Sequence, residues 1–155
     1  MNENDPVSEH DEFMGEALNQ ARLARDAGEV PIGAVVVRDG AVVAAAHNET
    51  RRLPDPTAHA EMLAIRRAAL ALGQERLDGC ELWVTLEPCA MCAGAIAHAR
   101  IGRLYYAAGD PKGGGVERGS RVFDQPQCLH RPEVYSGIGE DEAAELLRGF
   151  FRERR

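Results

Sequence analysis

Apolar residues recur at helical spacing from Glu12 to Ala27, through Phe13, Ala17, Ala21 and Ala24, and predict an amphipathic helix that Gly28 ends. Two runs rich in Val and Ala follow, Pro31 to Arg38 and Ala41 to His47. Between them stands Asp39-Gly40, a dipeptide suited to the positive φ angles of a two-residue hairpin turn, so the runs should pair antiparallel. Asn48 to Pro56 reads as a loop and Thr57 to Leu72 as a helix stopped by Gly73, with Asp55-Pro56 or Thr57 as its cap. Glu81 to Leu86 reads as a buried strand, after which Pro88 suits a first helical position and Cys89 to His98 is small and apolar enough for a packed helix. A strand from Arg103 to Ala107, an irregular stretch to Pro132 with a short turn near Val116 to Phe123, a β-like run around Val134 and a helix from Glu140 to Arg152 complete the pattern. Strands alternating with helices predict an α/β fold, a three-layer α/β/α sandwich with one mixed sheet of about five strands and helices on both faces.

A chain of 155 residues fits one domain, 1–155, with an acidic, flexible segment over residues 1–10. No basic, apolar leader opens the chain and no apolar run approaches the roughly 20 residues a membrane span needs, so the expectation is a cytoplasmic protein with no membrane partner. In a reducing compartment, four cysteines are better read as metal ligands, catalysts or buried thiols than as a disulfide framework. The net charge of −7 argues against a polyanionic partner, but its distribution weakens that argument. Glu3, Asp5, Glu9, Asp11, Glu12 and Glu16 carry most of the excess, while the end of the chain, RGFFRERR, is basic and holds two adjacent phenylalanines.

Cys89 and Cys92, three apart in TLEPCAMC, could share a disulfide, a redox function, a structural metal or a catalytic one. Residues three apart at a helix start can face one ion, and the positive end of the helix dipole favours the thiolates zinc requires. A catalytic zinc site has three protein ligands and keeps a position open for water. His59-Ala60-Glu61 offers a third ligand and a carboxylate at another helix start, where side chains radiate beyond the terminus. Two helix starts would then meet, with His59, Cys89 and Cys92 on the metal and Glu61 beside it.

HAE followed after a strand by PCAMC resembles the signature of the cytidine deaminase-like zinc deaminases. Within them the chain is most similar to the bacterial tRNA adenosine deaminases, through EVPIGAVVV, HN, DPTAHAEMLAIR, WVTLEPCAMCAGAI, ARIGRLYY and the terminal FFRERR. The resemblance implies a hydrolase fold of the cytidine deaminase type, with one zinc ion per chain and a bound water or hydroxide. It implies deamination of adenosine to inosine in tRNA, at the anticodon wobble position. Glu61 would shuttle protons, first to the ring nitrogen beside C6 and then to the departing amine. The resemblance further implies that Asn48 contacts base or sugar, that Asp110 and Lys112 contact RNA, and that the enzyme is a homodimer.

Other readings stand beside these. A deaminase of free bases or nucleosides would share every zinc residue, and a non-catalytic zinc or redox module would have no use for Glu61. Asn48 also suits a cap or turn, and Asp110 and Lys112 an ordinary solvated turn. Cys80 and Cys128 read as buried or partly exposed thiols, His47 and His98 as packed or hydrogen-bonded, His10 and His130 as solvated. Gly113 to Gly115 read as a flexible loop, since no GxxxxGK[ST] pattern surrounds them. In the tail, one phenylalanine should pack the last helix onto the sheet, while Phe151 stacks on a base and Arg152, Arg154 and Arg155 hold phosphates of a single-stranded loop.

Overall fold

The computed structural model describes residues 9–154. Its elements are α1 (Glu9–Asp26), β1 (Gly33–Arg38), β2 (Ala41–His47), α2 (Ala60–Leu72), β3 (Cys80–Leu86), α3 (Ala90–Ala99), β4 (Arg103–Ala108), a 3₁₀ turn (Val122–Asp124), β5 (Glu133–Ser136) and α4 (Glu140–Glu153). The expected flexible segment lies outside the described residues except for Glu9 and His10, which are already helical.

The strands form one mixed sheet in the order β2-β1-β3-β4-β5. β1 pairs antiparallel with β2 and β3, whereas β3, β4 and β5 run parallel. The hairpin forms where Asp39-Gly40 predicted it, with both residues at positive φ (51° and 77°). Strand alternation sorts side chains onto two faces. Ala34, Val36, Leu82, Val84, Leu104 and Tyr106 meet α2 and α3, while Val35, Val37, Trp83, Tyr105 and Ala107 meet α1 and α4. The three-layer sandwich is therefore as expected.

α1 lies so close over the start of β1 that a Cβ on Gly33 would stand 2.0 Å from the Ala17 carbonyl oxygen. Beside it, β2 ends at His47 opposite Gly33, and Gly33 donates its N–H to the Thr85 hydroxyl near the end of β3 (3.1 Å). Both strands thus release the chain at the same end of the sheet, and the starts of α2 and α3 lie together there.

Two helix starts differ from the sequence reading. Asp55 Oδ1 accepts from the Thr57 N–H (2.8 Å) and hydroxyl (2.7 Å), which makes a turn ahead of the helix, and α2 begins only after His59. Pro88 is not a first helical residue, because its carbonyl accepts from Gly115 N–H (2.8 Å) and the chain stays extended through Cys89. The Gly113 to Gly115 run is not a free loop either. A Cβ on Gly115 would meet Ala90 N at 2.6 Å and Cys89 C at 2.9 Å, so this segment is packed directly onto the first turn of α3.

Candidate active site

His59 and Cys89 are the N-caps of α2 and α3, each in extended backbone (φ −73°, ψ 153° and φ −72°, ψ 175°), and neither side chain caps its own helix. N-cap positions usually carry Ser, Thr, Asp or Asn, whose oxygen satisfies a free helix N–H. Here the side chains are turned outward to each other instead. His59 Nδ1 stands 3.6 Å from Cys89 Sγ and 3.4 Å from Cys92 Sγ. Asn48 takes over the missing cap of α2, its Oδ1 accepting from Ala60 N–H at 2.8 Å.

The donor set fits zinc. Tetrahedral bonds of about 2.3 Å to sulfur and about 2.0 Å to nitrogen place a nitrogen and a sulfur ligand about 3.5 Å apart. The two observed separations bracket that value, and all three donor atoms lie within 4.8 Å of one another. Protons are shared unequally among them. Hydrogen bonds from Cys92 and His59 hold the Cys89 thiol down to about 4, as a thiolate, and two helix N-termini favour that charge. The same hydrogen bond to Cys89, with burial, pushes Cys92 far above the ordinary thiol range, and Cys89 draws His59 upward.

Glu61, the second residue of α2, is only 4 % exposed and reaches the Cys92 thiol. Burial pushes its carboxyl above the ordinary carboxylate range. A buried acid that keeps its proton more readily than usual, beside a zinc-type ligand set, suits proton transfer in both directions.

Residues 8–155 match a family model described as MafB19-like deaminase. The chain belongs to this deaminase family. A "tRNA-specific adenosine deaminase" of Agrobacterium fabrum is 61 % identical over 149 residues, covering 96 % of this chain and 98 % of that one. One of Aquifex aeolicus is 45 % identical over 143 residues, covering 92 % and 94 %. Among solved structures, one from work on A-to-I editing by tRNA:A34 deaminases superposes with a TM-score of 0.87 at 62 % identity, covering 88 % of this chain and 99 % of that one. Guanine deaminase from Nitrosomonas europaea superposes at 0.76 with 27 % identity, covering 95 % and 88 %.

The deaminase places the other expected site residues less uniformly. Asn48 is 5 % exposed and serves the cap role, yet only its oxygen is engaged, and its NH₂ has no protein partner among the described residues. Asp110 Oδ1 accepts from the N–H groups of Lys112 and Gly113 (both 3.0 Å), the turn reading, and Lys112 is exposed on that turn. On α4, Phe150 is buried and Phe151 is half exposed, as the division between the two rings requires. Arg154 spreads its guanidinium over the Phe150 ring (3.6 Å to the centroid). Arg152 lies near Glu145 (3.9 Å), and Arg155 lies outside the described residues. Arg51, on the loop before α2, approaches Phe150 at 5.9 Å from its centroid, so that loop lies beside the last helix.

Among the remaining histidines and cysteines, Cys80 is buried and Cys128 partly so. His47 Nδ1 lies 2.9 Å from the Asn48 carbonyl. His130 is not simply solvated, since its Nε2 lies 2.6 Å from the Ile101 carbonyl, while His98 is exposed on α3 rather than packed.

Two buried carboxylates escaped the sequence reading. Glu29 is 1 % exposed and accepts from the N–H groups of Arg51 (3.1 Å) and Arg52 (2.8 Å), tying down the loop that leads to His59. Glu87 is 2 % exposed; burial would raise its carboxyl, but N–H groups of Asp110, Glu117 and Arg118 and the Arg118 guanidinium outweigh that and hold it below the ordinary range. The signal was available in both cases, as an acid within an otherwise apolar run, EVPIG and TLEPC.

Proposed function

We propose that this deaminase converts adenosine to inosine in tRNA, at the anticodon wobble position, by zinc-dependent hydrolysis. The observation that carries the chemistry is the meeting of two helix starts that puts His59 Nδ1 at 3.4 and 3.6 Å from two cysteine sulfurs with the buried Glu61 alongside. His59, Cys89 and Cys92 would hold the metal. Zinc held there would supply Lewis acidity, making a water molecule a nucleophile near neutral pH.

Glu61 then does the proton work. It accepts the proton of the attacking water and delivers it to the ring nitrogen beside C6, then takes the proton of the new C6 hydroxyl and passes it to the amino group, so that the C6–N bond breaks, ammonia leaves and the C6 carbonyl forms. Burial serves this cycle, since it raises the affinity of the carboxyl for the proton it must carry. Asn48, its oxygen fixed on α2, turns its amide NH₂ toward acceptors on base or sugar. Asp110 and Lys112 border the site, and Phe151, Arg152, Arg154 and Arg155 receive neighbouring nucleotides. The reading includes a cytoplasmic homodimer, and a single-chain mass by sedimentation would remove that part.

The choice of tRNA over a free base is supported by identities of 61 % to the Agrobacterium fabrum relative and 62 % to the tRNA:A34 deaminase structure, against 27 % to the guanine deaminase of the same fold. Zinc-loaded protein is incubated with tRNA carrying adenosine at the wobble position, and with guanine, and both are read for product. Inosine at that position is expected from the native chain and not from Glu61→Ala, which should keep its zinc. Guanine turnover without inosine would transfer the protein to the free-base class, and activity in Glu61→Ala would refute the proton shuttle.

A further inference from the structure

We propose that Glu87 is a positioning residue of this site, one that holds the segment from Gly109 to Arg118 against the start of α3 and so sets where Asp110 and Lys112 stand. The identity of the substrate rests on the function proposed above; the positioning itself does not.

The Glu87 side chain has no accessible surface. Its Oε1 accepts from Asp110 N–H (3.0 Å) and Arg118 Nη1 (3.0 Å). Its Oε2 accepts from the N–H groups of Val116 (3.3 Å), Glu117 (2.9 Å) and Arg118 (3.1 Å). An ionised carboxylate is acceptor-only on both oxygens, which this convergence of donors requires. Glutamine would keep the shape but direct an NH₂ at N–H groups.

Glu87 is itself fixed to the sheet, because its N–H donates to the Ala108 carbonyl (2.8 Å), and two residues later comes Cys89. One side chain therefore anchors a segment that has no helix or strand of its own to the same piece of backbone that presents a metal ligand. The glycines mark where that segment passes. A Cβ on Gly114 would stand 2.6 Å from the Glu87 carboxyl, and one on Gly109 2.5 Å from the Arg118 guanidinium. The run from Gly109 to Arg118 is thus folded around a buried anion, with Asp110 and Lys112 at its outer turn.

The test uses zinc-loaded, full-length Glu87→Gln on a tRNA anticodon stem-loop. Displacement of substrate contacts without loss of ligands should leave one zinc per chain while kcat/KM falls by about 30-fold or more, most of it through a raised KM. Amide hydrogen exchange at Asp110, Glu117 and Arg118 should accelerate by about tenfold or more, with β1 and β3 unchanged. A merely stabilising residue would lower the melting temperature without moving KM per zinc-loaded site.

Arg118→Met, which removes the guanidinium and leaves the N–H groups in place, should lose several-fold less. If it loses as much as Glu87→Gln, the guanidinium acts directly and the proposal falls. Should Glu87→Gln fail to fold, Gly114→Ala displaces the segment while keeping the carboxylate and must raise KM likewise; wild-type KM there overturns the proposal. If the native chain does not convert the stem-loop, the proposed function fails by itself. The exchange data then still decide, since unchanged protection at 109–118 in the variant refutes positioning.

Discussion

Replacing Gly115 by alanine should damage both the fold and the metal site, although the added group is one methyl. The new Cβ would stand 2.6 Å from Ala90 N, 2.8 Å from Ala90 Cα and 2.9 Å from Cys89 C, all backbone atoms that have no rotamer to escape into. Reaching ordinary contact at 3.4 Å requires a retreat of about 0.8 Å. If the 109–119 segment retreats, it strains the bond from Gly115 N–H to Pro88 O and that from Val122 N–H to Gly115 O, both 2.8 Å. Two such bonds are worth about 1 kcal/mol each, and overpacking of a rigid contact costs about 1–3 kcal/mol. If the start of α3 retreats, Cys89 moves against His59 by an amount several times the roughly 0.2 Å tolerance of a metal site.

Either way, a loss of about 2–3 kcal/mol is expected, or roughly 5–10 °C in Tm for a chain this size. Zinc affinity should fall by about tenfold or more, as for other changes behind a ligand. Thermal unfolding and competition with a chromophoric chelator read the two quantities. Gly149→Ala is the control, since its Cβ meets nothing within 4 Å inside α4, and it should stabilise by about 0.5–1 kcal/mol. A Gly115→Ala protein with native Tm and native chelator competition would refute the close approach and the role assigned to the glycine run.

Chelation of the metal should lower Tm and abolish deamination together, with both restored by zinc, because His59, Cys89 and Cys92 tie α2 to α3; loss of activity with an unmoved Tm would place the metal elsewhere. Burial, then the hydrogen bond to Glu117, pushes the Tyr106 phenol up to about 12, so its stabilisation is complete below pH 10 and lost as pH rises through 12. Denaturant unfolding from pH 9 to 12 should therefore fall less steeply in Tyr106→Phe than in the native chain, and equal slopes would contradict the shift. Arg152→Gln should weaken tRNA binding, reduce its logarithmic salt slope by about 1 and leave Tm unchanged. Arg154→Gln should also destabilise by about 0.5–1 kcal/mol, since its guanidinium covers Phe150, and equal Tm values for the two variants would show that the cover contributes nothing.

The sequence alone determined the features that depend on local spacing. The β-rich runs on either side of Asp39-Gly40 specified the hairpin, helical spacing specified α1 and α4 to within a few residues, and the spacing of Cys89 with Cys92 and of His59 with Glu61 marked the three-donor cluster that the fold brings together and the acid beside it. These patterns are legible because a side chain's direction follows from its place in a helix or strand. What tertiary structure decided lies where distant segments meet. The true start of α2 depends on Asp55 turning back on Thr57 and on Asn48 supplying a cap from the end of β2. The glycine run 113–115 looked free because its partners, Glu87 and the first turn of α3, are more than twenty residues away in the chain. Glu29 and Glu87 looked like ordinary acids for the same reason. A buried carboxylate is stable only when donors converge on it, and most of those donors are backbone N–H groups, which every residue but proline has and no sequence pattern displays.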